Sequence, residues 1–140
     1  MNNDGQHKRS AKRILIVDDN PDWLDLETEL VVKEFEQDIA KKEVEVISKS
    51  SLEEGLSAIQ QQDESQPFHV VITDLRLIDA EPGNEDGLEI ANEAKKSCKS
   101  TQVIIVTGYP STDSAVQGID LEILKYVYKS PKHGLFNHQE

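Results

Sequence analysis

Short apolar runs recur along the chain and are separated by longer segments with helical periodicity. Residues 14–17 and 103–106 are continuous apolar runs, which are typical of strands buried on both faces of a sheet. Residues 44–48 alternate between apolar and polar positions, which predicts a more exposed strand. Two further strands are predicted at residues 68–73 and 126–128. The chain is therefore expected to contain five strands.

The segments between these strands carry the sequence signals of helices. Asn20 is placed to cap a helix over residues 21–40, which has proline at its first position and apolar residues at helical spacing. The sequence Ser51-Leu-Glu-Glu resembles a capping box and predicts a second helix, despite Gly55. Two further helices are predicted, near residues 88–98 and 111–118.

The alternation of strands and helices favours a single α/β domain. This order predicts a parallel sheet that is covered on both faces and joined by right-handed crossovers. The 140 residues suffice for one domain of ordinary size and not for two. We expect the domain to span residues 13–131, with a disordered lead-in at residues 1–12 and a tail at residues 132–140.

The charge balance narrows the classes of partner. The chain has 15 Lys and Arg residues against 27 Asp and Glu residues, a formal net charge of −12. This acidity argues against binding to nucleic acid or to an anionic membrane, since both require clustered cations. The apolar runs are too short to cross a bilayer and no apolar leader follows Met1, so a cytoplasmic protein is expected. The single cysteine, Cys98, excludes an internal disulfide framework and a cysteine-rich zinc site.

Polar residues of complementary chemistry follow four of the predicted strands. Asp18 and Asp19 follow the first strand, Asp74 the third, Thr107 the fourth and Lys129 the fifth. A doubly wound sheet places its site beyond the carboxyl ends of its strands, so these side chains are expected to lie close together. Three carboxylates in one place repel one another, and a hard cation such as Mg²⁺ relieves that repulsion through oxygen ligands.

This set of residues suits the transfer of a phosphoryl group to a carboxylate. A metal ion, Lys129 and Thr107 can neutralise the oxygens of an incoming phosphoryl group, while Asp74 provides the nucleophile and becomes an aspartyl phosphate. Taken singly, each residue also has an ordinary structural role, because Asp18 and Asp19 can cap a helix and Asp74 can lie in a turn. The convergence of four strand ends favours a functional site over these separate roles.

Five segments around the strand ends carry motifs that occur in a fixed order. They are residues 14–21, 70–75, 86–90, 103–109 and 126–131. Together they resemble the receiver domain of bacterial two-component response regulators. The resemblance implies a flavodoxin-like, doubly wound sheet of five parallel strands in the order 2-1-3-4-5. It also implies a phosphoprotein that receives a phosphoryl group from a histidine kinase or phosphotransfer protein and switches its contacts with an output protein.

The resemblance implies specific roles for the residues that meet the phosphoryl group. Asp74 would be the phosphoacceptor, and Lys129 and Thr107 would contact the phosphoryl oxygens. Thr107 and the aromatic Tyr126 would form the switch that responds to phosphorylation. The only reactions implied are the phosphorylation and dephosphorylation of the chain itself, without any other enzymatic activity.

The resemblance also implies a Mg²⁺ site. Asp19, Asp74 and the backbone carbonyl of Arg76 would bind the ion directly. Asp18 would act on the ion through a water molecule.

The chain departs from the family pattern near its end and in one loop. Ser130 separates Lys129 from Pro131, so the cis bond that follows the lysine in the family lies between Ser130 and Pro131 or is absent. The acidic loop at residues 75–86 is longer than usual and is expected to overhang the site. The final helix is truncated or missing in residues 132–140, which would expose apolar surface and favour association, including a homodimer.

Two bulky side chains are expected beside the site. Arg76 lies two residues after the acceptor, and Tyr109 lies two residues after Thr107. We predict that both alter the attack of water on the aspartyl phosphate.

Two other functions are compatible with an aspartate in this position. A degenerate receiver would act only as an interaction module, but the intact set of Asp19, Asp74, Thr107 and Lys129 argues against it. A phosphatase similar to haloacid dehalogenases would need a second acid two residues after Asp74, where this chain has Arg76.

Overall fold

Strands and helices alternate along the part of the chain that the structure describes. The computed structural model describes residues 11–78, 80–81, 83–108 and 122–129, and the backbone of residues 136–137. The strands are β1 (Lys12–Val17), β2 (Val44–Lys49), β3 (Val70–Asp74), β4 (Gln102–Thr107), β5 (Lys125–Lys129) and β6 (Phe136–Asn137). The helices are α1 (Pro21–Glu34), α2 (Glu36–Ala40), α3 (Leu52–Gln60) and α4 (Asp86–Ser97).

The strands form one sheet in the order β2-β1-β3-β4-β5-β6. The first five strands pair in parallel, and β6 pairs with β5 in the antiparallel direction. The predicted parallel order 2-1-3-4-5 is confirmed. The sixth strand was not predicted, because a two-residue segment has no periodicity by which to recognise it. Among the described residues no helix follows β5, so the final helix of the family pattern is not seen.

One face of the sheet carries the main hydrophobic core, under α3 and α4. The strands contribute five of its buried residues, which are Leu15, Val17, Val71, Val103 and Ile105. The two helices contribute Ile59, Leu88, Ile90, Ala91 and Ala94. The four residues of α4 recur at helical spacing, and in α3 the partly buried Leu52 and Leu56 lie on the same face as Ile59. Each helix therefore packs one apolar stripe against the strands.

Gly55 lies in the middle of α3 because of packing. A Cβ atom at this position would lie 2.8 Å from Cδ1 of Ile90 and 3.0 Å from Cγ2 of Val17. The missing side chain therefore lets α3 approach both β1 and α4, although glycine weakens an isolated helix.

The N-terminal cap of α1 is confirmed, but the predicted single helix over residues 21–40 is wrong. Asn20 Oδ1 accepts the backbone N–H groups of Asp22 and Trp23 at 3.0 and 3.1 Å. The helix ends at Glu34, and Phe35 leaves the helical region with ψ 25° before the short α2 begins. The backbone N–H of Ile39 donates to the carbonyl of Phe35 at 2.8 Å, so the break is confined to one residue, and the chain turns toward β2 only after Ala40.

The third strand begins two residues later than predicted, at Val70. Phe68 is buried, but its backbone N–H donates to the side-chain Oε1 of Gln62 at 2.7 Å. The pattern of apolar residues cannot show whether the backbone N–H of Phe68 bonds to a side chain or to a neighbouring strand.

Several predictions fall outside the described residues. They concern residues 1–10 of the lead-in, the helix at 111–118, Tyr109, the Ser130–Pro131 bond and most of the tail. None of the described helices is long and apolar enough to cross a membrane.

Candidate functional site

The carboxyl ends of β1, β3 and β5 bring three buried charged side chains into contact. Lys129 Nζ donates to Asp18 Oδ2 at 2.9 Å and to Asp74 Oδ2 at 3.0 Å. The exposed fractions of Asp18, Asp74 and Lys129 are only 0%, 5% and 6%. The predicted convergence of these three residues is therefore seen in the structure, and each buried charge has an opposite charge beside it.

Three aspartates form an acidic cluster at the same edge. Oxygens of Asp18, Asp19 and Asp74 all lie within 4.8 Å of one another. Asp18 Oδ1 also accepts the backbone N–H of Asn20 at 3.0 Å, which fixes this carboxylate. Oδ1 of Asp74 is buried and has no hydrogen-bond partner among the described residues. The three carboxylates give an all-oxygen set of donors, which fits a hard cation such as Mg²⁺.

The electrostatics of Asp74 reflect its crowding. Burial raises the pKa of Asp74 to about 7, against the lowering effect of Lys129, and the neighbouring Asp18 raises it further. For Lys129, burial works to lower the pKa, but Asp74 and Asp18 outweigh it and the pKa is raised. The lysine therefore stays charged at neutral pH and holds the two carboxylates in place.

Glu27 is a fourth acidic residue at this site, and the sequence analysis missed it. It lies in α1 and is only 2% exposed. Burial raises the pKa of Glu27 to about 9, and the nearby Asp18 raises it as well. Its position in the helix is the signal that could have revealed it, because residue 27 lies one turn after Trp23 and one turn before Val31, on the inward stripe.

Glu27 gives the metal-free protein a specific dependence on pH. The folded state retains a proton that the unfolded chain releases above pH 4.5, so the stability contributed by this group falls as the pH rises from 4.5 to about 9. We expect Glu27→Gln to gain several degrees in Tm over the wild type across that interval, with little difference below it. Thermal unfolding in the presence of a chelator measures this, and parallel Tm curves for the two proteins would contradict it.

Trp23 packs against the lysine of the site. Its ring centroid lies 5.0 Å from Nζ of Lys129, which is within the range of a cation–π contact. Trp23 is the single tryptophan of the chain. Its fluorescence therefore reports on the environment of this lysine.

The remaining predicted site residues lie at or near the same edge of the sheet. Thr107 is buried at the end of β4, and its register partner in β5 is Tyr128. Tyr126 is half-buried and packs against the hydrophobic core. Arg76 is half-buried in the loop that follows β3.

Helix α4 begins directly against the strand that carries Asp74. The backbone N–H of Gly87 donates to the carbonyl of Leu75 at 2.8 Å. A Cβ atom on Gly87 would overlap the carbonyl oxygen of Asp74 and would lie 2.7 Å from Cα of Leu75. Only glycine allows this approach, so Gly87 fixes the backbone beside the candidate acceptor.

Gly87→Ala is expected to destabilise the protein by about 2 kcal/mol, despite the better helix propensity of alanine, because the added methyl group meets backbone that cannot rotate away. Chemical denaturation measures the change. Asn92→Ala at an exposed position of the same helix is the matched control and should be nearly neutral. If Gly87→Ala is as stable as the control, the prediction is wrong, because α4 can then move away from the strand without loss of stability.

The loop after β3 is anchored to the fold through Asn84. Oδ1 of Asn84 accepts the backbone N–H groups of Leu77 and Asp86 at 3.0 and 3.1 Å. Leu75 and Leu77 are both buried in the core. The first residues of this long loop are therefore held against the domain.

The chain is similar to proteins of one kind in both sequence and fold. The family described as "Response regulator receiver domain" matches residues 14–137. A CheY-like response regulator receiver domain protein from Methanospirillum hungatei JF-1 is 29% identical, with a TM-score of 0.61 over 89% of this chain and 87% of that chain. A response regulator receiver domain protein from Clostridium thermocellum is 28% identical, with a TM-score of 0.65 over 84% of this chain and 82% of that chain.

A further similar structure is the BeF3-activated DrrB receiver domain. It is 25% identical, with a TM-score of 0.60 over 88% of this chain and 90% of that chain. No curated protein matches the chain.

Proposed function

The chain belongs to the family of response regulator receiver domains, and from this premise we propose that Asp74 accepts the phosphoryl group that switches the domain. The contact of Lys129 with both Asp18 and Asp74 carries the proposal, because it brings residues from three strand ends into one buried cluster. Receiver domains act in two-component signalling, and histidine kinases or phosphotransfer proteins are their phosphodonors. The specific donor and output protein of this chain belong to the proposal.

The described contacts support a direct attack by Asp74. Its Oδ2 is held by Lys129, while its Oδ1 makes no hydrogen bond among the described residues and can approach phosphorus. In the proposed step, Oδ1 forms a bond to phosphorus as the bond between phosphorus and the leaving group of the donor breaks. The ammonium group of Lys129 then lies beside the new phosphoryl oxygens and stabilises their charge.

A divalent cation fits the cluster that surrounds this step. Asp19, Asp74 and the backbone carbonyl of Arg76 would hold Mg²⁺ directly, and Asp18 would hold it through water. When bound, the ion offsets the negative charge of the carboxylates and of the phosphoryl oxygens. Without a cation, the same carboxylates keep the pKa of Asp74 raised and disfavour its charged, nucleophilic form.

Thr107 and Tyr126 are proposed to carry the switch. Thr107 ends the strand next to that of Asp74, so its hydroxyl group can move toward a phosphoryl oxygen. Tyr126 lies on the following strand and packs against the core. A change at Thr107 would thus reach the surface near β5, where an output protein can detect it.

The two alternative functions are not favoured. A degenerate interaction module does not account for a buried lysine held between two carboxylates. A phosphatase of the haloacid dehalogenase type lacks its second acid, since Arg76 occupies that position.

The test of the proposed function is phosphorylation of the full chain by acetyl phosphate, followed by intact mass. We expect the addition of one phosphoryl group with Mg²⁺ and none when a chelator is present. Treatment with hydroxylamine should remove the group, because acyl phosphates react with this nucleophile. No added mass with Mg²⁺, or a group that resists hydroxylamine, would contradict the proposal.

Arg76→Ala is expected to speed the loss of the phosphoryl group by about threefold to tenfold, because the long side chain restricts the approach of water. The measurement is the decay of the phosphorylated mass after acetyl phosphate has been removed. Arg13→Ala is the control, since Arg13 pairs with Glu45 on another part of the fold. Equal decay rates for wild type and Arg76→Ala would contradict the prediction that Arg76 restricts the approach of water.

A further inference from the structure

The loop after β3 carries the backbone carbonyl that the proposed function assigns to Mg²⁺. This carbonyl belongs to Arg76, two residues after Asp74. Its neighbours Leu75 and Leu77 are only 2% and 3% exposed, so their side chains anchor the chain on both sides of Arg76. A peptide unit is planar, and its direction is set by rotation about the bonds that flank it. Hydrogen bonds of the peptide units in this loop therefore decide where their carbonyl groups point.

The two peptide units before this carbonyl are held by the backbone of neighbouring elements. The N–H of Leu75 donates to the carbonyl of Val106 in β4 at 3.2 Å. The carbonyl of Leu75 accepts the N–H of Gly87 in α4 at 2.8 Å. The sheet and the helix thus fix the chain as far as Arg76.

The next peptide unit, which joins Arg76 to Leu77, is held by the side chain of Asn84. The N–H of Leu77 donates to Oδ1 of Asn84 at 3.0 Å. This peptide bond is trans, so the carbonyl of Arg76 points away from the N–H of Leu77. The hydrogen bond to Asn84 therefore fixes the direction of the carbonyl as well as that of the N–H group.

The amide group of Asn84 is itself held from both of its ends. Its Oδ1 also accepts the backbone N–H of Asp86 at 3.1 Å. Its Nδ2 donates to Oε1 of Glu81 at 3.2 Å and to Oδ2 of Asp86 at 3.1 Å. An amide side chain has two acceptor positions and two donor hydrogens, so these contacts together with that of Leu77 use all of them. Asn84 is therefore a fixed support for the peptide unit and not a mobile side chain.

We propose that Asn84 is a positioning residue of the metal site, which fixes the direction of the Arg76 carbonyl through the N–H of Leu77. This inference rests on the proposed function and deepens it, because it adds a residue that acts on a proposed ligand of Mg²⁺. Asn84 is not itself a ligand, since two backbone N–H groups engage its oxygen. Mg²⁺ demands near-octahedral geometry, so a ligand that is already oriented binds it more tightly than one that must be ordered first.

The test measures the affinity of the full chain for Mg²⁺ without a phosphodonor. Asn84→Ala removes the acceptor of the Leu77 N–H. Gln62→Ala is the matched control, because Oε1 of Gln62 accepts the backbone N–H of Phe68 at 2.7 Å, two residues before β3 begins. Each variant loses a side-chain amide that accepts a backbone N–H, but the two losses lie at opposite ends of β3. Titration calorimetry gives the Kd for Mg²⁺, at a temperature at which thermal unfolding shows each protein to be folded.

We expect the Kd for Mg²⁺ to rise about tenfold in Asn84→Ala and to match that of the wild type in Gln62→Ala. Both variants should have a lower Tm, since each removes the acceptor of a backbone N–H. A purely structural role of Asn84 would lower the Tm and leave the Kd unchanged.

Phosphorylation by acetyl phosphate gives a second measurement. The Mg²⁺ concentration at half the maximal rate should rise in Asn84→Ala by the same factor as the Kd. The rate at saturating Mg²⁺ should stay within about twofold of the wild type, because the variant weakens binding of the ion and leaves Asp74 and Lys129 in place.

Three results would overturn the inference. The first is an Asn84→Ala protein that binds Mg²⁺ as tightly as the wild type, and the second is an equal loss of affinity in Gln62→Ala. The third is a wild type that does not bind Mg²⁺. If Asn84→Ala does not fold, Asn84→Gln replaces it with the same expectation, because its longer side chain cannot place the oxygen at the same point. A wild type that binds Mg²⁺ but is not phosphorylated would contradict the proposed function alone, and the Kd values would still decide the role of Asn84.

Discussion

Asp74→Ala is expected to abolish phosphorylation of the chain by acetyl phosphate and Mg²⁺. The substitution removes the carboxylate whose unpartnered Oδ1 is proposed to attack phosphorus. Asp18 is held by Lys129 and by the backbone of Asn20, so its two oxygens are already engaged. Intact mass should show one added phosphoryl group on the wild type and none on the variant.

The Asp74→Ala variant is expected to lose phosphorylation while it keeps its fold. The substitution removes one of three carboxylates that crowd a buried cluster, and burial of this one is unfavourable at neutral pH, as its raised pKa shows. The Tm of the metal-free variant should therefore equal or exceed that of the wild type. Asp63→Ala is the control, because Asp63 is an exposed aspartate in the connector after α3. Retained phosphorylation in Asp74→Ala, or loss in Asp63→Ala, would refute the assignment of the acceptor.

Lys129→Met is expected to destabilise the metal-free protein by about 3 kcal/mol at neutral pH and to slow phosphorylation strongly. The ammonium group is the shared partner of Asp18 and Asp74, and both carboxylates stay buried when it is removed. Breaking a buried ion pair by removing one partner typically costs this much, because the remaining charge is left uncompensated. Chemical denaturation and intact mass measure the two effects.

The destabilisation in Lys129→Met should depend on pH and on the metal. Without the lysine, which lowers the pKa of Asp74, burial raises that pKa further above its usual value. The stability of the variant therefore falls as the pH rises from the usual pKa of an aspartate to the raised one. The defect should therefore be larger at high pH than at low pH, and Mg²⁺ should restore part of the stability by supplying the missing positive charge. Lys125→Met is the control, since Lys125 is exposed on the same strand. Equal stability of the two variants would contradict the role of Lys129.

Much of the fold was predictable because its signals are local. Apolar runs such as residues 14–17 and 103–106 indicate strands buried on both faces, and the structure places them in the centre of the sheet. The N-cap at Asn20 was predictable because it depends on a few consecutive residues, and the structure confirms both of its hydrogen bonds. The break at Phe35 was not predictable, because it is a change in the backbone angles of one residue within a segment of continuous helical periodicity.

The residues of the candidate site also fall into two groups, those that local sequence predicts and those that only the packing of the fold reveals. Asp18, Asp74 and Lys129 could be predicted to meet, since parallel strands bring their carboxyl ends to one edge of a sheet. In the sequence, Gly87 was noted only as part of the motif at residues 86–90. The structure shows why glycine is needed there, because a side chain would overlap the backbone of Asp74. Glu27 was missed altogether, because a glutamate in an amphipathic helix is ordinarily taken as part of the exposed face.

The sequence by itself determined the alternation of strands and helices and the chemistry at the strand ends, because hydrophobic periodicity and motif spacing are local properties of the chain. The order of the parallel strands followed from the resemblance to receiver domains. Only the tertiary structure decided which side chains share a buried environment. The antiparallel β6, the close approach at Gly87 and the burial of Glu27 beside Asp18 all depend on distances between elements that are far apart in the sequence. Such distances are set by packing of the whole fold, which no local pattern records.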